Sequence, residues 1–166
     1  RFVHGWFKAV IYKSERVGRD GKIFEMYKIR TLNSGADGKL FASDDVYRKG
    51  GRFLRKWKID EISQIVNVLK GEMRFFGYRP EEKRTIEVLP QHIKDILLKE
   101  KPGIIDLASV YFWDEEKILS RSDDKTQDYW TKIKPIKFIL QVFYIQNRCI
   151  FLNLAIVWIL IKKMIK

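Results

Sequence analysis

The sequence predicts a small α+β domain: a short β-hairpin, a helix that opens with adjacent carboxylates, and apolar helices at the C-terminal end. Three observations carry this reading. Residues 6–13 and 23–30 are rich in aromatic and β-branched side chains and are separated by Gly18-Arg19-Asp20-Gly21, a turn signal between two pairable strands. From Asp60 onward the apolar residues fall at 62, 65, 66 and 69, which is one face of a helix. Beyond Pro135 the composition shifts, and residues 149–161 carry one polar side chain, Asn153.

At 166 residues the chain is long enough for one domain with its own core. Lys28 and Arg30 alternate with Tyr27 and Ile29, so the second strand presents two bases on one face. A solvated strand face is the simplest use of them. Residues 33–51 are rich in glycine, asparagine and serine, which predicts a flexible loop. Gly18–Lys22 and Gly35–Lys39 lack the spacing of a phosphate loop and read as turns. Residues 48–58 interleave six bases with Phe53, Leu54 and Trp57, a composition suited to a membrane surface or to RNA. Residues 91–99 suit a helix with Ile93, Ile96 and Leu97 on one side, ended by Pro102-Gly103. Residues 104–112 suit a strand or a buried turn, and 113–132 are polar enough to predict an exposed insertion.

The formal net charge of +12 calls for an acidic partner, whether nucleic acid, anionic lipid or a phosphorylated substrate. No RRM, KH or zinc-finger signature accompanies the basic segment, so nucleic acid is not expected. The single cysteine, Cys149, excludes an internal disulfide, and two histidines far apart are too few for a histidine-rich metal site. The run at 149–161 would make a helix of about 20 Å, short of the ~30 Å hydrocarbon core. With Arg148 before it and Lys162, Lys163 and Lys166 after it, it suits a core helix or one lying in the membrane interface. The flanking bases and Trp158 favour the interface, with Ile156 and Leu160 in hydrocarbon.

The chemistry concentrates at Asp60-Glu61. A carboxylate in the first turn of a helix meets free backbone N–H groups and the positive end of the macrodipole, which keep it ionised. Arg55 lies five residues before Asp60 and Arg79 closes the stretch in Gly77-Tyr78-Arg79-Pro80. Ionised carboxylates bracketed by guanidinium groups suit phosphoryl transfer with a divalent metal. On spacing alone, an N-capping aspartate beside an exposed glutamate is the commoner explanation.

The run LRKWKIDEISQIVNVLKGEM…GYRP resembles the central motif of the bacterial sugar transferases, the monotopic phosphoglycosyl transferases, whose pattern reads roughly LRKxSLDELPQLxNVLKGDMSxVGPRP. Arg16–Lys22 with Tyr27–Thr31, Lys101-Pro102-Gly103-Ile104 and, more weakly, Tyr144–Arg148 agree in order, so the resemblance covers nearly the whole chain. It implies one transferase domain over 1–166, with a catalytic core at 1–135 and membrane-associating helices at 136–166. Family members also carry an N-terminal re-entrant membrane segment, which this sequence is expected to lack.

The implied reaction moves a sugar 1-phosphate from a UDP-sugar to a polyprenyl phosphate on the cytosolic face of the cytoplasmic membrane, as the first membrane step of glycan assembly. Asp60 would be the nucleophile and Glu61 the ligand for Mg²⁺. Arg55 and Arg79 would hold substrate phosphate, with Lys28 and Arg30 beside them, and membrane lipids would be the remaining partner. The oligomeric state stays open. Ser63 replaces the proline of DELPQ, Tyr78 the first proline of GPRP and Glu72 the aspartate of KGDM, and Ile105-Asp106-Leu107 stands where the family more often has Thr-Gly-Trp. The alternatives are an inactive relative, or a basic module that binds membrane or RNA without catalysis.

Overall fold

A computed structural model of the protein describes residues 10–33 and 46–165, so the expected strand residues 6–9 and most of the loop at 33–51 lie outside the described residues. Strands β1 (Ile11–Val17) and β2 (Ile23–Ile29) form the antiparallel hairpin, in register from Val17 opposite Ile23 to Ile11 opposite Ile29. The turn works because Asp20 and Gly21 take left-handed backbone angles, φ 58° and 74°, which glycine and aspartate tolerate best. Alternation along β2 then puts Phe24 and Met26 inward, where they pack with Met73. Lys28 is the next residue on that same inward face.

Helix α1 (Gly51–Lys56) starts against the hairpin: a Cβ on Gly51 would lie 2.2 Å from the carbonyl oxygen of Thr31, so only glycine fits. The dyad segment departs from the expected α-helix. Ile59–Gln64 is a 3-10 helix entered through Lys58 at φ 57°, and the α-helical part, α2 (Ile65–Leu69), begins only afterwards. Its amphipathicity is also inverted. Asp60, Glu61, Gln64 and Asn67 are buried, whereas Ile62, Ile65, Val66 and Leu69 face out. Asn67 shows how a polar group is accommodated there. Asn67 accepts from the backbone N–H of Tyr27 (3.1 Å) and donates to the Glu25 carbonyl and the Glu72 carboxylate (both 2.7 Å), clamping the dyad segment to β2.

Strand β3 (Arg74–Phe76) pairs in parallel with β4 (Gly103–Ile105), and the crossover between them holds α3 (Lys83–Glu87) and α4 (Gln91–Leu97). Two sequence motifs meet at this pairing. A Cβ on Gly103 would lie 2.1 Å from the backbone nitrogen of Gly77, so both positions need glycine for the backbones to touch. The contact fixes where the chain leaves β3, and with it Tyr78 and Arg79.

Helix α5 (Leu107–Tyr111) is capped by Asp106, which accepts from the Ser109 N–H at 2.7 Å. Residues 113–132 are exposed at most described positions, as expected, but they are ordered rather than irregular. They fold as α6 (Glu115–Leu119) and α7 (Lys125–Asp128), and Leu119 and Tyr129 enter a core cluster with Phe112 and Ile133. α7 runs through a π-helical turn (Tyr129–Ile133) into α8 (Lys134–Asn147), which packs on α4 and α5. A corner at Arg148 leads to α9 (Ile150–Ile165). Asn153, the polar residue of the apolar run, clasps this corner by accepting from the Tyr144 hydroxyl at 2.8 Å.

Two expectations for α9 need separating. No described helix is long and apolar enough to cross a membrane. Ile156, expected in hydrocarbon, is instead wholly buried between Val110 and Tyr144, with Leu160 partly buried against them. The large apolar side chains that α9 leaves outside are Ile150, Phe151, Leu154, Trp158, Ile159, Ile161 and Ile165.

Candidate active site

The hairpin, the dyad segment and the β3 exit converge on Glu61. Lys28 reaches its Oε1 at 2.9 Å from β2, and Arg79 donates Nη2 to the same oxygen at 3.3 Å. Arg79 donates its other arm, Nη1, to the Ser109 hydroxyl at 3.3 Å, so the guanidinium bridges the dyad to the start of α5. Burial by itself would raise the Glu61 carboxyl, but Lys28, Arg79 and Lys58 together hold it well below the usual carboxylate range. Glu61 raises the Arg79 guanidinium in return, whereas burial lowers the Lys28 amine.

Asp60 is in the opposite condition. It is 6% exposed, and its Oδ1 is buried without a hydrogen-bond partner among the described residues. Burial, and then the charge of Glu61, push its carboxyl above the ordinary aspartate value, although Lys28, Lys58 and Arg55 pull the other way. The expectation that the helix start favours the charged form of both carboxyls therefore fits Glu61, whereas at Asp60 burial and the Glu61 charge oppose it. A 3-10 turn leading into five α-helical residues cannot offset the loss of solvent. Two neighbouring carboxyls with pKa values driven apart are the arrangement that separates a reactive group from a structural one.

Four of the six predicted residues thus stand together: Asp60, Glu61, Lys28 and Arg79. Arg55, half-buried on α1, acts on Asp60 through its charge. Arg30 lies over the Tyr12 ring, 5.7 Å from its centroid. Sequence reasoning missed Lys58, which sits over the Trp113 ring at 5.7 Å and favours the charged form of both carboxyls. Its place beside Asp60 in the sequence was the available signal.

It also missed a second layer of charge behind Arg79. Lys134 clasps both oxygens of Glu81 (2.7 and 2.8 Å), Lys137 pairs with Glu115, and Asp106, 1% exposed, leaves Oδ2 without a partner among the described residues. Buried pairs of this kind are sensitive to the loss of either member. No signal in the sequence tied Lys134 to Glu81 across 53 residues.

Adjacent carboxylates, one with an orphaned buried oxygen, fit a Mg²⁺ ion. Magnesium takes one or two carboxylates and completes its shell with substrate phosphate and water. The described residues hold no cluster of three or more metal-ligating side chains, which such a shell does not need.

The site is thus a buried pair of carboxyls with opposite shifts, ringed by lysine and arginine on a small α+β scaffold. The chain belongs to the bacterial sugar transferase family, which it matches over residues 5–166. It is 32% identical over 160 residues to the uncharacterized sugar transferase EpsL of Bacillus subtilis, covering 94% of this chain and 70% of that one. Against the UDP-N-acetylgalactosamine-undecaprenyl-phosphate N-acetylgalactosaminephosphotransferase of Aeromonas hydrophila it is 31% identical over 155 residues, 90% of this chain and 34% of that one. A Klebsiella pneumoniae UDP-glucose:undecaprenyl-phosphate glucose-1-phosphate transferase is 31% identical over 160 residues, 93% and 32% respectively. The chain therefore spans about a third of these two enzymes and most of the first.

Proposed function

We propose that the protein transfers a sugar 1-phosphate from a UDP-sugar to a polyprenyl phosphate, through a covalent intermediate on Asp60. The observation that carries this reading is the split dyad: an unpartnered, buried Asp60 oxygen beside a Glu61 anchored by Lys28 and Arg79. An Asp60 carboxylate oxygen attacks the phosphorus that bears the sugar; the P–O bond to the UMP phosphate breaks, and UMP leaves with the bonding electrons. A phosphate oxygen of the polyprenyl phosphate then attacks the same phosphorus, and the Asp60–phosphorus bond breaks to return the carboxylate.

The residues fit these steps. Asp60 is shielded from solvent, and Lys28, Lys58 and Arg55 favour its charged, nucleophilic form. Arg79, bridging Glu61 and Ser109, presents a planar fork suited to phosphate oxygens, and Lys28 supplies a point charge. Glu61, with the free oxygen of Asp60 beside it, would hold Mg²⁺, which when bound would neutralise charge on the leaving phosphate. The apolar faces of the dyad segment and α9 support work at the cytosolic face of the membrane, where a polyprenyl phosphate is reached.

The test is UMP release from membranes carrying the protein, with Mg²⁺, polyprenyl phosphate and a panel of UDP-sugars, beside intact-mass detection of a phospho-sugar adduct. Release that Asp60→Asn abolishes together with the adduct is the expected result. Turnover of that variant within about tenfold of the native protein, a barrier change of only ~1.4 kcal/mol, would remove Asp60 as nucleophile.

A further inference from the structure

Two arginines stand at a groove where β3 meets the corner between α8 and α9. An open groove of about 420 Å³ is lined by Phe75 and Phe76 on one side and by Tyr144 and Ile150 on the other. Arg74 and Arg148 also line it. Both donate to one oxygen of Glu100, Oε2, at 2.9 and 2.6 Å. Burial opposes the charge on Glu100, but Arg148 and Arg74 hold its carboxyl below the usual range, so it stays ionised. Two guanidiniums sharing one carboxylate oxygen leave a net positive charge, and each arginine keeps further N–H donors, with side chains more than two-fifths exposed.

The apolar half of the groove continues outward. Phe75 and Ile150 are more than half exposed, and Ile150 begins the helix whose outer face also exposes Phe151, Leu154 and Trp158. A soluble phosphate has no use for such walls, and a neutral lipid has none for the arginines. The side chains that bond Glu61, Lys28 and Arg79, do not line this groove, so its reading stands whether or not Asp60 is the nucleophile.

We infer that this groove binds the phosphate of an anionic membrane phospholipid between Arg74 and Arg148, with its glycerol and first acyl carbons against Phe75 and Ile150. The volume lies within the range of small-molecule sites and suits a headgroup with the start of a chain. Glu100 holds the two guanidiniums together through one oxygen and limits the site to one net charge.

Cys149, the only cysteine, lines the groove and is exposed, so the unaltered protein reports on occupancy. The full chain is treated with a water-soluble maleimide in four conditions: buffer, phosphatidylcholine vesicles, phosphatidylcholine–phosphatidylglycerol vesicles, and glycerol phosphate. Slower alkylation with the phosphatidylglycerol vesicles alone is expected. Equal protection by phosphatidylcholine would mean nonspecific immersion, and protection by glycerol phosphate a soluble-phosphate site; either overturns the inference.

In parallel, Arg74→Gln/Arg148→Gln should lower affinity for phosphatidylglycerol vesicles by on the order of thirtyfold, at about fivefold per arginine. Lys83→Gln/Arg84→Gln, which removes the same charge from α3, should lower it much less. Equal losses in the two variants would reduce the site to general surface charge and refute it.

Discussion

Replacing Asp60 by asparagine should make the protein more stable while it destroys activity. The carboxyl is buried, one oxygen lacks a partner among the described residues, and its pKa is raised by burial and by Glu61. For a carboxyl raised in the folded state, folding favours the protonated form. Its stabilising contribution is therefore fullest below the unfolded value of about 4 and is lost as pH rises through the folded value. Asparagine carries no charge at any pH. The stability gap between Asp60→Asn and the native protein should thus be small in acid and widen toward neutrality. A buried polar group without its hydrogen bond costs roughly 1–3 kcal/mol, and asparagine recovers part of that. A gain on the order of 1 kcal/mol at neutral pH corresponds to about 2–4 °C in Tm for a domain of this size. The assay is thermal unfolding of both proteins in chelator across the acidic-to-neutral range, repeated with Mg²⁺, which should narrow the gap by stabilising the aspartate alone. A variant less stable than the native protein, or a gap that does not change with pH, would refute the account of Asp60 as a carboxyl whose charge is penalised by burial.

Glu61→Gln should behave in the opposite way. Its carboxyl is depressed in the folded protein, so its contribution is present at neutral pH and is lost only as pH falls below the ordinary glutamate value of about 4. Removing the shared partner of Lys28 and Arg79 should cost on the order of 3 kcal/mol at neutral pH, measured by denaturant titration, with the deficit shrinking in acid. Gly103→Ala puts a methyl group 2.1 Å from the Gly77 nitrogen, so β3 and β4 must part; about 2 kcal/mol or more should be lost, and UMP release should fall with it as Arg79 shifts.

What the sequence showed, and what it hid, follows from which interactions are local. The hairpin was legible because turn chemistry and strand composition act within about twenty residues, and period-2 alternation places Lys28 on the face of Phe24 and Met26. The dyad was legible from its motif, but its geometry was not. Neither the 3-10 winding nor the inward turn of Asp60, Gln64 and Asn67 is dictated locally; Asn67 is drawn in by the Tyr27 and Glu25 backbones some forty residues earlier. Residues 113–132 read as solvent-exposed because charges outnumber apolar side chains there. Most of them are exposed, and what the composition hid is that Leu119 and Tyr129 anchor the segment against Phe112 and Ile133, while Lys134 and Lys137 find Glu81 and Glu115 only in the folded chain.

α9 offers a comparison that the sequence alone would have set up wrongly. Its 16 residues make a helix of about 24 Å, too short to span, and its two faces are both apolar but differ in what covers them. Ile156 is fully buried against Val110 and Tyr144, whereas Phe151 is 77% and Leu154 59% exposed. An aspartate at Ile156 would place a charge in the core, so that variant should unfold in detergent as readily as in buffer and says nothing about lipid. Phe151→Asp/Leu154→Asp changes only the outer face and should leave the melting curve in detergent within about 1 °C of the native one, as surface substitutions do. If that face lies in the membrane interface, each side chain contributes about 1.5–3 kcal/mol when it leaves water, and liposome affinity should fall by at least about tenfold. Intact melting with unchanged flotation would show that the outer face of α9 does not meet lipid, and that the exposed apolar surface of this helix is covered by protein instead.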